Sequence, residues 1–297
     1  MSEVASIATA QVNGGEVVYE VLGDDEGIPV DMTPGGRAGR DFVRLLGERV
    51  ADAGMKVLLW DRPNAGASAV QFSDQWPSEA HMHADTLRQL IAHLGWGPTV
   101  LAGGSAGARV SITTAIEYPD VARGLFLWHI VGGVYPSMSL ACGYVLGNIS
   151  TARRGGMEAV IEMPEWKDRI AANERNRERL LSMDRDEFVR ILKLWLNAYV
   201  PSPEQVIPGV SDEEVARIEV PTEIIRSGER DEEHPLETCL RVHDLIESSR
   251  IVAAPWAEDA WEQAFSKSLK TGGPQAFDLT AEAAPLIVDF CQRVGSR

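Results

Sequence analysis

The chain has 297 residues, with 28 Lys and Arg against 44 Asp and Glu, which gives a net charge of −16. This acidic balance argues against nucleic acid and anionic membranes as partners, because both are bound through clustered cations. The three cysteines are odd in number and far apart, which argues against a disulfide framework or a zinc ribbon and favours a cytoplasmic protein.

The first predicted element is a β-hairpin with strands at 8–12 and 16–22, joined by an Asn-Gly-Gly turn. Strand and helix patterns then alternate. The predicted elements are strand 29–32, helix 41–53, strand 56–60, helix 83–94, strand 99–102, helix 106–118 and strand 124–129. This alternation predicts an α/β fold with a mostly parallel sheet covered by helices on both faces.

The alternation stops near residue 133, and only helices are predicted from 136 to 200. Strand and helix patterns resume after that block, at 222–226, 236–247, 250–254 and 281–294. The length allows two domains or one large domain with an insertion. We therefore expect a first part of an α/β core at 1–135, a helical lid at 136–205 and a second part of the core at 206–297.

The strongest local motif is the pentapeptide G-x-S-x-G at residues 103–107, between an apolar strand and an apolar helix. Glycines suit a sharp strand-to-helix turn, which forces Ser105 into a strained backbone conformation with its hydroxyl exposed above the sheet. The N–H of Ala106 then lies at a helix N-terminus, where it can stabilise a developing oxyanion. The motif predicts Ser105 as a nucleophile, and the alternative is a plain glycine-rich turn.

With these elements around the motif, the chain resembles the α/β-hydrolase family over nearly its whole length. Residues 33–36 stand at the position of the family's oxyanion loop, with a proline where a histidine is common. The resemblance implies that the N–H of Gly36 is the second oxyanion donor. Residues 60–68 look like the family's structural D-x-x-G-x-G-x-S loop.

The resemblance also implies a catalytic acid and a position for the catalytic histidine. Residues 228–235 match the pattern G-x-x-D-x-x-x-P, in which Asp231 is the triad acid. The family carries its histidine in the loop after the last strand, and Asp259 stands at that position here. No histidine follows His243, so the usual base is missing.

A serine hydroxyl needs a base to take its proton. We choose His129 because it ends the strand next to the one that precedes Ser105, so we expect it to face the same opening of the active site as Ser105. The alternative is that His129 is a structural histidine with a hydrogen bond beneath the lid. A carboxylate base at Asp259 is the second option, with a pKa raised by Asp231 if the two come close. The other histidines are interpreted as structural, surface or loop residues: His81, His83, His93, His234 and His243.

Two arginines are expected near the opening of the active site. Arg37 in the oxyanion loop and Arg109 in the first helical turn after Ser105 are predicted to bind an anionic substrate, although Arg109 bonding to loop carbonyls is an alternative. The sequence has no metal-ligand spacing and no nucleotide-binding glycine pattern. We therefore expect no cofactor and no metal. The expected partners are a small-molecule substrate and, at most, a second copy of the chain as a homodimer.

These residues predict a serine-dependent hydrolase with a non-standard triad, acting on an ester, a lactone or a C–C bond next to a carbonyl in a small, largely apolar substrate. Two other classes stay open. One is a non-hydrolytic ligand-binding protein that keeps the pocket. The other is a lyase, cyclase or isomerase that uses the oxyanion hole to stabilise an enolate without an acyl-enzyme.

Overall fold

The computed structural model describes residues 7–271 and 278–296, and its centre is an eight-stranded sheet. The strands are β1 (Ala8–Val12), β2 (Gly15–Gly23), β3 (Pro29–Thr33), β4 (Lys56–Trp60), β5 (Thr99–Gly104), β6 (Ala122–Trp128), β7 (Thr222–Ile225) and β8 (Ser249–Val252). Their order across the sheet is β1-β2-β4-β3-β5-β6-β7-β8. From β4 to β8 every neighbouring pair is parallel, so the predicted mostly parallel sheet is confirmed.

The antiparallel end of the sheet comes from the predicted hairpin. β1 pairs with β2, and β2 pairs with β4, both antiparallel. Asn13 and Gly14 form the turn with φ of 54° and 77°. Two residues with positive φ are what a tight hairpin turn requires, which is why the Asn-Gly signal located this element correctly.

Helices cover both faces of the sheet, as predicted. They are α1 (Arg44–Asp52), α2 (Glu79–His93), α3 (Ala106–Glu117), α9 (Asp212–Val215), α10 (Leu236–Leu245), α11 (Ala260–Thr271) and α12 (Ala284–Gly295). The core under α2, α3 and α10 and the core under α1 and α12 are separate apolar clusters on opposite faces. Alternate residues of β4 point into each one, so strands that are buried on both faces appear as continuous apolar runs in the sequence.

A block of helices is inserted between β6 and β7. Its helices are α4 (Val134–Ala141), α5 (Gly147–Val160), α6 (Pro164–Ala172), α7 (Arg175–Leu181) and α8 (Arg185–Leu196), with a π-helical turn at Cys142–Leu146 and a 3₁₀ turn at Asn197–Tyr199. We call residues 134–199 the helical insertion. It has its own apolar core, which includes Trp166, Phe188 and Trp195 and also takes in Met82 of α2. The insertion therefore packs on the body through apolar side chains.

The carboxyl ends of the central parallel strands meet at one edge of the sheet. β5 ends at Gly104, β6 at Trp128 and β7 at Ile225, and ligand sites in α/β sheets lie outside such ends. The candidate site residues come from the connections that follow these strands. No helix within the described ranges is both long and apolar enough to cross a membrane.

Candidate active site

Ser105 occupies a sharp turn between β5 and α3. Its φ of 56° and ψ of −120° lie in a region that L-residues rarely adopt. The N–H of Ser105 donates to the carbonyls of Trp128 (3.2 Å) and His129 (3.0 Å), which ties the turn to the end of β6. A Cβ at Gly107 would collide with the carbonyl oxygen of Thr33, so the motif's second glycine is required by close packing on β3.

The Ser105 hydroxyl is hydrogen-bonded to a histidine. Ser105 Oγ lies 3.0 Å from His234 Nε2, and His234 Nδ1 lies 2.8 Å from Asp231 Oδ2. Both the histidine and the aspartate are buried, and Ser105 is partly exposed. A hydroxyl, an imidazole and a carboxylate are thus joined in one hydrogen-bonded chain, and a chain of this kind is able to activate a serine hydroxyl.

The acid and the base come from one short loop. Asp231 and His234 are three residues apart between β7 and α10. Asp231 Oδ1 accepts the backbone N–H groups of Glu233 (3.1 Å) and His234 (3.0 Å), while Oδ2 accepts from the His234 ring. The carboxylate therefore folds the loop and orients the imidazole at the same time.

The electrostatics of Asp231 suit the role of an ionised partner. Burial alone would raise the pKa of this carboxyl, but the hydrogen bond and charge of His234 outweigh burial and hold the pKa below its ordinary value. An ionised Asp231 favours the tautomer of His234 that carries its proton on Nδ1, which leaves Nε2 free to accept the Ser105 proton.

The structure corrects the choice of His129 as the base. It is the backbone carbonyl of His129 that faces Ser105, because the residue turns out of β6 with φ of 48°. The ring packs on Trp261, with centroids 3.9 Å apart, and lies 5.1 Å from the ring of His234. Burial lowers the pKa of His129 to about 3, and its Nδ1 has no hydrogen-bond partner within the described residues. His129 is a neutral packing residue behind His234.

The second option for the base is not supported either. Asp259 is exposed and accepts a hydrogen bond from Gln263 at the start of α11 (2.6 Å). Two tryptophans of this segment reach the site: the ring of Trp261 contacts those of His129 and His234, and the ring of Trp256 lies 5.5 Å from that of His129. The segment after the last strand therefore supplies an aromatic cover rather than a base.

The expected oxyanion donors, Gly36 and Ala106, lie in the loop after β3 and at the start of α3. Gly36 has φ of 52°, and Arg62 fixes its loop by donating from Nη2 to the carbonyls of Gly35 (3.3 Å) and Gly36 (2.7 Å). Ala106 begins α3, where the first N–H groups have no intrahelical acceptor. Backbone N–H groups of this kind stabilise the negative charge that develops on the carbonyl oxygen of a substrate when a serine attacks it.

A small cavity of about 10 Å³ lies at Ser105. Its lining includes Gly35, Trp128, His129 and Trp261. Such a volume holds about one water molecule. A carbonyl oxygen or a hydrolytic water fits this space, whereas a whole substrate requires the surrounding wall to open.

The structure also corrects the interpretation of Arg37. Its guanidinium is 3.2 Å from Glu79 and 3.2 Å from Glu165, and it donates to the backbone carbonyl of Tyr144. Glu79 is buried, and the charge of Arg37 helps to hold the pKa of that carboxyl at about 2 against the opposite effect of burial. With two carboxylates as partners, Arg37 joins the oxyanion loop to the helical insertion and is not available to an anionic ligand.

Arg109 differs from Arg37 in its partners. Nη2 donates to the hydroxyl of Tyr199 in the helical insertion (2.9 Å), and the guanidinium lies 4.9 Å from the centroid of that ring. Its Nε and Nη1 are buried without a hydrogen-bond partner in the described part of the chain. Arg109 therefore bonds a hydroxyl of the helical insertion rather than loop carbonyls and keeps donors without a partner in the described residues.

Sequence reasoning placed Ser105, Asp231, Gly36 and Ala106 at one site and missed His234. The structure brings the first two into one hydrogen-bonded chain through His234. A signal was available, because Asp-x-x-His at the end of a strand places both side chains on one turn of a loop. The expectation that the histidine belongs after the last strand hid that signal.

Comparisons with known proteins establish the architecture. A scan against protein-family models finds no match, and a sequence search of the curated proteins finds none. Many solved structures are similar. An enol-lactonase from Burkholderia xenovorans has a TM-score of 0.58 and 16% identity, covering 89% of this chain and 98% of its own.

Two further solved structures have the same overall likeness. A thermophilic esterase from Thermogutta terrifontis has a TM-score of 0.56 and 21% identity, covering 90% of this chain and 98% of its own. A proline iminopeptidase from Mycobacterium smegmatis has a TM-score of 0.60 and 15% identity, covering 97% and 98%. Identities this low establish architecture and not reaction. With its sheet order, its turn at Ser105 and these neighbours, the chain has the α/β-hydrolase fold.

Proposed function

We propose that this protein is a serine hydrolase that cleaves an ester, a lactone or a C–C bond next to a carbonyl in a small substrate. The observation that carries the proposal is the continuous chain from Ser105 Oγ through His234 to Asp231, with links of 3.0 Å and 2.8 Å. The fold alone supports no particular reaction, so the proposal depends on this geometry. The neighbours described as an esterase and an enol-lactonase agree with it.

The proposed reaction begins with proton transfer from Ser105 Oγ to His234 Nε2 as the oxygen attacks the substrate carbonyl. The resulting oxyanion is stabilised by the N–H groups of Gly36 and Ala106. His234, held by Asp231, then returns the proton to the leaving group as the acyl-enzyme forms. Water, activated by the same histidine, attacks the acyl-enzyme and restores Ser105.

The contact between Ser105 and His234 also bears on the two other classes. A ligand-binding protein and an enzyme without an acyl intermediate were attractive because the base was missing from its usual place. His234 supplies a base within hydrogen-bonding distance, which removes that reason. Nucleophilic catalysis is therefore the function that the geometry supports best.

A fluorophosphonate probe tests this proposal directly, because it reacts covalently with activated serines. We expect one modified residue, Ser105, in a digest examined by mass spectrometry, and we expect Ser105→Ala to abolish both labelling and the hydrolysis of p-nitrophenyl esters. Ser139→Ala, which changes an exposed serine of α4, is the matched control and should behave like the wild type. A folded wild type that neither labels nor hydrolyses any ester would refute the proposal.

A further inference from the structure

Positive charge is in excess under the helical insertion, next to the oxyanion loop. Four buried guanidinium groups lie there, and the carboxylates paired with them are Glu79 and Glu165. The four are Arg37, Arg62, Arg109 and Arg169. The insertion and the sheet edge therefore enclose two more cations than paired anions.

The four arginines differ in the groups that their guanidinium groups contact. Arg37 takes both carboxylates, and Arg169 donates to the backbone carbonyls of Asn64, Glu165 and Arg37. Arg62 and Arg109 have no carboxylate within ion-pair distance among the described residues. The excess charge is therefore located on this second pair.

Both members of this pair also keep unused donors. Arg62 Nε and Arg109 Nε and Nη1 are buried and have no hydrogen-bond partner within the described residues. Burial lowers the pKa of Arg62 to about 10, although the charge of Glu79 acts in the opposite direction. The pKa of Arg109 is raised in spite of burial, because Tyr199 and the charge of Glu79 favour its charged form. Buried charges in proteins are otherwise paired, so a missing anion is the simplest completion of this cluster.

Both arginines are attached to segments that adjoin Ser105. The backbone N–H of Arg109 donates to the carbonyl of Ser105 (3.2 Å), so Arg109 lies one helical turn from the nucleophile. Arg62 holds the carbonyls of Gly35 and Gly36. Two tyrosines of the insertion contact the same segments, with the Tyr144 hydroxyl close to Gly36 and the Tyr199 hydroxyl on Arg109.

We propose that the substrate of the hydrolase carries a carboxylate, which binds Arg109 with support from the charge of Arg62 while Ser105 attacks the substrate's ester or lactone carbonyl. This inference rests on the proposed function and refines its substrate class. A substrate that is apolar throughout leaves Nε and Nη1 of Arg109 unmet, whereas a carboxylate oxygen accepts a charge-assisted hydrogen bond from one of them.

The first test compares paired substrates. The p-nitrophenyl monoesters of succinic, glutaric and adipic acid carry a free carboxylate, and methylating that carboxylate gives neutral partners of matched chain length. We expect kcat/KM to be about 10- to 100-fold higher for the acid than for its methyl ester at the best chain length, because hydrogen bonds between charged groups discriminate by this much. A ratio near one at every length would overturn the proposal.

The second arm assigns the preference to a residue. Arg109→Gln should reduce the ratio of acid to methyl ester to near one, and Arg109→Lys should restore part of it. Arg190→Gln is the control, because Arg190 is an exposed arginine of α8 that pairs with Asp74 and Glu187. A preference for the acid that persists in folded Arg109→Gln would contradict the assignment.

The third arm needs no turnover and separates this proposal from the proposed function. Free glutarate should raise the Tm of the wild type and of Ser105→Ala but not that of Arg109→Met. A protein that hydrolyses neutral esters through Ser105 but shows no acid preference and no glutarate effect would refute the anion site alone. A protein that binds glutarate through Arg109 but never hydrolyses an ester would refute the hydrolase alone.

Discussion

Two adjoining regions of the molecule differ in whether their buried polar atoms have hydrogen-bond partners. In the first, every atom has a partner: Ser105 binds His234, His234 binds Asp231, and the second oxygen of Asp231 accepts two backbone N–H groups. In the second, beneath and beside the first, Asp31 Oδ1 and the Nε and Nη1 of Arg109 are buried without partners in the described chain.

The difference separates two kinds of functional design. Groups that must exchange a proton with each other are held in place by complete hydrogen bonding, since a misplaced base loses most of its effect. Buried polar groups without hydrogen-bond partners destabilise the folded state, because they have lost their hydrogen bonds to water and have gained none within the protein. Such a cost is tolerated where a ligand or a proton completes the group, so the second region is where a ligand is expected.

The largest effect should follow from breaking the complete region. His234→Asn removes the base while leaving a polar side chain of smaller size beside Asp231. We expect kcat/KM for a p-nitrophenyl ester to fall by about 10³- to 10⁴-fold, the amount that a general base and its triad supply. Steady-state kinetics together with a thermal melt measure this loss in a folded protein.

Asp259→Asn is the matched control for that experiment. Asp259 stands where the family usually has its histidine, but it is exposed and bonded to Gln263. Its substitution should leave kcat/KM within about twofold of the wild type, because exposed side chains away from the reacting atoms contribute little. A large loss from Asp259→Asn and a small one from His234→Asn would contradict the triad described above.

The fold was predictable from local patterns because its strands are buried on both faces and alternate with amphipathic helices. Continuous apolar runs such as that of β4 mark a parallel sheet, and Asn13-Gly14 marks the hairpin. The turn at Ser105 was equally visible, since a Cβ at Gly104 would collide with Trp128 and one at Gly107 would collide with the end of β3. These signals are local in the sequence.

The identity of the base was not predictable in the same way. His129 and His234 both follow strands that end at the same edge, and which ring points at Ser105 depends on backbone conformation. The φ of 48° at His129 turns its carbonyl toward Ser105, and Asp231 holds the ring of His234 in place. Partners across the sheet edge decide such orientations, and sequence spacing does not contain them.

The next effect concerns the incomplete region and appears as a pH dependence of stability. Asp31 lies fully buried in β3, where Thr33 donates to its carboxyl (2.8 Å), and burial raises its pKa to about 8. The unfolded chain has an ordinary aspartate pKa near 3.9, so between these values the folded state holds the extra proton. Stability from this group is therefore present at acidic pH and lost as the pH rises toward 8.

Asp31→Asn tests that dependence because the amide is isosteric and does not ionise. Between pH 5 and pH 8 the wild type should lose on the order of 4 kcal/mol from this group, at about 1.4 kcal/mol per pH unit. The Tm of the variant should therefore exceed that of the wild type at pH 8 by roughly 5–10 °C and match it more closely at pH 5. Equal melting curves at both values would mean that Asp31 is not protonated in the folded protein.

The smallest effect is expected at His129, whose substitution decides whether its ring or its nitrogen matters. His129→Asn keeps a residue type that tolerates positive φ but removes the ring stacked on Trp261, which should lower the Tm by roughly 1–6 °C, the equivalent of one aromatic contact.

The same variant should lower kcat/KM by less than about 10-fold, because His234 and not His129 exchanges the proton with Ser105. Since the pKa of His129 is lowered to about 3, the pH–rate profile above pH 5 should keep its shape. His129→Phe restores the ring without the nitrogens and should recover the lost rate. If His129→Phe instead lowered kcat/KM as much as His234→Asn, an imidazole nitrogen at position 129 would have a chemical role. His129 would then take part in proton transfer and not only pack against His234.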